Sequence, residues 1–145
     1  MSPRRHQSEA RLQRTILEHL RWRGMLGLFV FHYPAGGWRS SIEAAILKGL
    51  GVNPGVPDLL ILHQGKLHAL ELKSARGRLT TVQAETQHRM RVAGALAATA
   101  IGIDEALERL EVWGLLRPNV ANQLAKAFSE LRHDVAERTR GGGTA

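Results

Sequence analysis

Between Glu9 and Arg23, apolar residues recur at helical spacing. Leu12, Ile16, Leu17 and Leu20 share one face, and Gly24 supplies a stop. Ser8 is a candidate N-cap, which leaves the polar residues 1–7 as a flexible N-terminus. Gly27 to Tyr33 reads as a strand, closed by Pro34-Ala35-Gly36-Gly37, and a short helix from Ile42 to Leu50 follows, entered through Ser40 or Ser41. Two apolar runs, Asp58–Leu62 and Leu67–Lys73, flank Gln64-Gly65 and predict a hairpin. Thr80 or Thr81 caps a helix running to about Val92, with Gly94 as its stop. Leu96 to Ile101 is a short alanine-rich strand, Asp104 opens a helix to about Leu110, and Pro118-Asn119 begins a last one. On that last helix Leu124, Phe128, Leu131 and Val135 form one stripe, which packs either on the domain (the simpler reading) or on a second subunit. The organisation is therefore a domain over residues 8–117, an amphipathic helix over 118–138 and a disordered tail over 139–145. The alternation of elements predicts an α/β fold with a mixed central sheet flanked by helices.

Composition narrows the partners. The chain has 145 residues, enough for one domain with a sizeable core, and a formal net charge of +7 that favours a polyanionic partner. The absence of cysteine excludes disulfides and thiolate metal sites. Met1 to Arg11 lacks an apolar signal core, and the longest apolar stretch, Gly94 to Ile103, is too short to span a bilayer. The expectation is an intracellular, cytoplasmic protein with no membrane partner. The histidines are scattered, with no spacing that suggests zinc.

The hairpin carries the chemistry. If Gln64-Gly65 is its turn, Asp58 lies directly across from Glu71, while Glu71 and Lys73 share one face of their strand. Directly opposed Cβ atoms stand roughly 4.5–5.5 Å apart, and like charges there are destabilising. Two carboxylates placed so close, with a lysine beside them, are most simply explained by a divalent cation. A structural reading competes for each residue: Asp58 as a turn or cap residue, Glu71 in a salt bridge with Lys73 or another strand's arginine, Lys73 as an edge-strand lysine that deters aggregation.

The same residues carry a resemblance. Pro57-Asp58, followed after twelve residues by Glu71-Leu72-Lys73, is similar to the PD-(D/E)xK nuclease signature. The wider pattern is Gly55-Val56-Pro57-Asp58-Leu59, Glu71-Leu72-Lys73, Gly77-Arg78-Leu79-Thr80-Thr81-Val82-Gln83 and Gly94. It resembles the virus-type replication-repair nuclease (VRR-NUC) domain in its stand-alone phage form, over about Glu9 to Trp113. The resemblance implies a restriction-endonuclease-like core with the site on the hairpin. It also implies Mg²⁺ or Mn²⁺ held by Asp58, Glu71 and the Leu72 carbonyl, with Lys73 orienting or deprotonating a water or offsetting phosphate charge. A family glutamate on the first helix that commonly completes the metal site matches Glu9, with Glu18 as its rival and a helix-dipole role as the structural reading of Glu9, and the family glutamine matches Gln83, with Gln87 as the alternative. Gln83 would support the site or the scissile strand.

Further residues are candidates for DNA contact. Arg76 and Arg78, in a glycine-containing loop beside Lys73, are placed for phosphates. The segment His32-Tyr33-Pro34-Ala35-Gly36-Gly37-Trp38-Arg39 resembles a His-x-Pro-x-Gly-Gly segment of the phage members, with Ala35 where asparagine is expected. Trp38 would stack on a base or wedge into a junction, or simply pack at a turn, and Arg39 and Lys48 would bind phosphate.

The expected function is thus metal-dependent, structure-specific endonuclease cleavage of DNA in repair or recombination, such as cutting of branched or Holliday-junction DNA by a homodimer. The candidate dimer interface is the last helix, or the helix from Asp104 with Trp113. A basic DNA-binding protein of the same fold that does not cut is the alternative, and a hydrolase of small phosphoesters is a third reading.

Overall fold

Gln64 and Gly65 both have positive φ, at 48° and 75°, the signature of a type I′ turn whose twist suits a two-residue hairpin. The computed structural model describes residues 3–33 and 41–141. The turn joins β2 (Leu59–His63) to β3 (Lys66–Lys73), antiparallel, with Leu59 opposite Leu70, Leu60 opposite Ala69 and His63 opposite Lys66. That is the register the sequence predicts. β1 (Phe29–His32) adds to the free side of β2, antiparallel, with His32 opposite Leu59. β4 (Leu96–Ile101) lies along β3 in parallel, reached through the crossover helix α3 (Thr81–Val92). The four-stranded sheet therefore has the order β1-β2-β3-β4, mixed in direction as expected.

Alternation along the central strands divides the core in two. On one face Leu59, Ile61, Leu70 and Leu72 are buried against α1 (Pro3–Arg23) and α4 (Gly102–Val112), which contribute Ile16, Leu20, Ala106 and Leu110. His68 also turns to this side, where its ring meets Trp113 at 5.4 Å. On the other face Leu60, Ala69 and Ala97 make a smaller cluster with Tyr33, Val56, Leu67 and Met90 of α3.

The helix boundaries differ from expectation in instructive ways. α1 begins at Pro3 rather than after Ser8, a position that suits proline's fixed φ and missing N–H. At its other end the Arg23 guanidinium bonds the Arg117 carbonyl and pairs with Glu111, tying α1 to α4 and to the segment after it. α2 (Ser41–Gly49) buries none of its residues, and Ile42, Ile46 and Leu50 are exposed. The last helix, α5 (Val120–Gly141), keeps Leu124, Phe128, Leu131 and Val135 between 54% and 60% exposed. Each residue of the stripe is thus more than half exposed. α5 runs through residues 139–141, and residues 142–145 of the expected tail lie outside the described residues. No helix among the described residues is long and apolar enough to cross a membrane.

Gly55 fixes where β2 begins. Its φ is +74°, and a Cβ there would stand 2.7 Å from the Val82 carbonyl oxygen, so only glycine lets this loop close on the start of α3. Gly55→Ala should cost about 1–3 kcal/mol, combining a strained φ with displacement of α3. Urea denaturation with an unchanged midpoint would show that the loop yields without cost.

Candidate active site

Asp58 is the residue before β2, and continuing the ladder from the Leu59–Leu70 pair sets it opposite Glu71. Its Oδ2 accepts the Leu72 N–H at 3.0 Å, so the carboxylate turns toward β3 rather than away from it. Glu71, 2% exposed, points to the α3 face with Lys73, since the intervening Leu72 belongs to the opposite core. Its Oε1 is 2.6 Å from the Lys73 ammonium. Gly77 is buried against the Lys73 stem, where a Cβ would come within 3.0 Å of the lysine Cβ, which leaves that side chain little room.

Gln83 completes the grip on Glu71. Thr80, the N-cap of α3, accepts the Gln83 N–H at 3.2 Å, and the Gln83 side-chain oxygen accepts the Thr80 N–H at 2.9 Å. This reciprocal pair is a capping box. It leaves the Gln83 amide nitrogen free to donate to Glu71 Oε1 at 2.6 Å. One glutamine thus closes a helix end and orients the buried carboxylate. Gln87 is a scaffold residue: it is buried and donates to the Thr99 hydroxyl of β4 at 2.9 Å.

Burial pushes the Asp58 carboxyl above its ordinary range. The Leu72 N–H, Lys73 and His32 oppose that rise, while the charge of Glu9 adds to it. Glu71 is likewise raised, first by burial and then by the facing Asp58, with the Lys73 hydrogen bond pulling the other way. Both carboxylates therefore sit where a positive charge is favoured.

Glu9 lies in α1, which has no acidic residue in its first turn, so a helix-dipole role does not account for it. Its charge is felt at Asp58, yet among the described residues no three His, Asp or Glu side chains gather as a metal cluster. Glu18 is exposed further along α1. Arg76 and Arg78 are exposed in the loop between β3 and α3. Lys48 lines a cavity of about 330 Å³ between α2 and the loop Val52–Gly55, together with Tyr33, whose hydroxyl is buried without a hydrogen-bond partner. Trp38 and Arg39 lie outside the described residues. A larger cavity, about 800 Å³, lies between α4 and α5, and none of the candidate site residues lines it.

His32 is placed differently from a free DNA contact. Its Nδ1 is 2.8 Å from the Asp58 main-chain carbonyl and 2.9 Å from the side-chain amide of Gln13 on α1. Sequence reasoning passed over Gln13, although it follows Glu9 by four residues and so shares its helix face.

No family model matches the chain, and no curated protein matches it. The likeness lies in solved structures. A VRR_NUC domain protein superposes over 72% of this chain and 85% of its own, with a TM-score of 0.59 and 24% sequence identity. A second structure, a VRR_NUC domain, covers 71% of this chain and 92% of its own at a TM-score of 0.48 and 22% identity. The first superposition shows the fold: this chain shares the fold of that VRR_NUC domain protein, a mixed four-stranded sheet flanked by helices.

The raised carboxyls set a pH dependence for the metal-free protein. A folded-state pKa above the unfolded one means that the native state holds its proton longer. The associated stability is complete below the unfolded carboxylate range, near pH 4, and is lost as pH rises through the raised values. Asp58→Asn, which still accepts from Leu72, should therefore be more stable than the parent at pH 7 in EDTA, with the gain shrinking toward pH 4. Urea melts across that range measure it, and a gain that grows on acidification would reverse the sign.

Proposed function

We propose that this chain is a VRR-NUC-type nuclease that hydrolyses DNA phosphodiester bonds with Mg²⁺ or Mn²⁺. The observation that carries the reading is the opposed pair Asp58 and Glu71, both with raised proton affinity, with the Lys73 ammonium on Glu71 and Gln83 behind it. A DNA-docking groove would gain nothing from two facing carboxylates in an otherwise basic protein. The likeness of fold to a VRR_NUC domain protein supports the same class.

The donor chemistry fits a hard cation. Asp58 and Glu71 offer carboxylate oxygens, and the space beside Glu71 Oε1 already takes a positive group. In this reading Asp58, Glu71 and the Leu72 carbonyl hold the ion, and Glu9 balances part of its charge from α1. A bound ion would supply a water of lowered pKa and stabilise charge on the attacked phosphate. Gln83 keeps Glu71 in its ligating rotamer. Lys73, beside that carboxylate, orients the water or offsets charge at the phosphate. Arg76 and Arg78 hold phosphates of the bound strand from their exposed loop, and Lys48 does so from α2.

The finer layer is structure-specific cutting of branched DNA by a homodimer. A single site cannot cut two symmetric strands together, whereas a two-fold pair can. The exposed Leu124–Phe128–Leu131–Val135 stripe of α5 supplies an apolar surface for that pairing. Trp113, the other interface candidate, packs on the core and His68 instead.

Cleavage of labelled four-way-junction, flap and linear DNA with Mg²⁺, Mn²⁺ or EDTA tests the activity. We expect metal-dependent cutting that Asp58→Ala reduces at least about 100-fold; binding without cutting in either metal would favour the DNA-docking alternative. Sedimentation equilibrium should show a dimer that Phe128→Asp weakens at least about tenfold. A monomer at high concentration would remove the dimer layer and leave the nuclease reading intact.

A further inference from the structure

We infer that His32 is a positioning residue for the metal site, holding the Asp58 main chain, rather than a residue that binds DNA. The inference rests on the metal-dependent reading above and concerns how Asp58 is kept in place.

Asp58 stands just outside the paired part of β2, where the β1–β2 ladder ends at His32 and Leu59. A residue at a frayed strand end has a free peptide plane unless a side chain replaces the missing ladder bond. The His32 ring does so: its Nδ1 is 2.8 Å from the Asp58 carbonyl. A carbonyl only accepts, so Nδ1 carries the proton in this bond. The Gln13 amide stands 2.9 Å from the same nitrogen, and a protonated Nδ1 calls for the amide oxygen on that side. Asp58 is therefore held twice, by its carbonyl toward β1 and by its carboxylate toward the Leu72 N–H of β3. The two bonds together fix the direction of the ligand oxygens.

The same chain of contacts reaches α1. Glu9 and Gln13 are four residues apart on one helix face, and Glu9 is the α1 charge felt at Asp58. The Gln13 contact thus joins His32 to the helix that carries that charge. Residues behind a metal ligand commonly change affinity by 10–100-fold when lost. His32 is exposed, so a smaller effect, about three- to tenfold, is appropriate.

The test is Mn²⁺ binding by calorimetry, paired with DNA binding in EDTA, for the full chain and its His32 variants. Asparagine can place an amide N–H near the position of Nδ1, whereas glutamine reaches toward Nε2. His32→Ala and His32→Gln should each weaken Mn²⁺ binding by about three- to tenfold, and His32→Asn should restore it to within about twofold. DNA binding in EDTA should stay unchanged in all three. If His32→Ala proves unfolded in a thermal melt, the contrast between asparagine and glutamine decides the matter. Wild-type Mn²⁺ affinity in His32→Ala and His32→Gln, or weaker DNA binding in EDTA with Mn²⁺ affinity intact, would overturn the inference. No Mn²⁺ binding by the unmodified protein would overturn the metal reading itself, and the role of His32 with it.

Discussion

Two carboxylates that face each other across a hairpin set the terms for everything around them. Asp58 and Glu71 are both largely removed from water; the charge of Asp58 raises the cost of ionising Glu71, and that of Glu9 the cost of ionising Asp58. Such a pair persists only if neighbouring groups supply positive charge or N–H donors. The structure supplies them from three directions. Leu72 gives its N–H to Asp58, Lys73 gives its ammonium to Glu71, and Gln83 gives its amide from α3. Each donor comes from a different kind of element: a strand backbone, a strand side chain and a helix terminus. The compensation is incomplete, since both carboxyls keep raised proton affinity.

Gln83 links that electrostatic problem to the helix beside it. Its oxygen closes the capping box with Thr80 while its nitrogen serves Glu71, so the first turn of α3 cannot shift without disturbing the carboxylate. Gly55 brings the chain ahead of β2 against the same turn, and Thr86 bonds the Pro54 carbonyl at 2.7 Å. The start of β2 and the start of α3 are thereby locked together, and with them the two sides of the site. The glycine and the glutamine that frame the sequence pattern do mechanical work on one joint.

Much of this was legible in the sequence because it depends on short-range rules. A two-residue turn and strict alternation set the register of β2 and β3, and so the opposition of Asp58 and Glu71. The strand Leu96–Ile101 and the Thr80 cap were readable for similar reasons. What was not legible depends on contacts between distant segments. The link from Gln13 through His32 to the Asp58 carbonyl joins a helix, an edge strand and a loop, and no local pattern marks it. Periodicity identified the apolar stripe of α5 but not where it would face, since an exposed stripe and a packed one have the same spacing. The start of α1 was not legible because its first residues are polar and offer no periodic signal, although Pro3 was a usable start marker.

The chain distances within the site also order its assembly. The hairpin closes through a two-residue turn, so Asp58 and Glu71 meet across a short loop. Lys73 arrives with them on the same strand, already able to shield Glu71. Gln83 joins when the loop after β3 has folded back, and His32 and Gln13 must close progressively longer stretches of chain to reach Asp58. Loop-closure entropy therefore favours bringing the mutually repelling charges together before their outer restraints are in place. The lysine two residues beyond Glu71 is thus the counterion available during folding, before any outer restraint has formed.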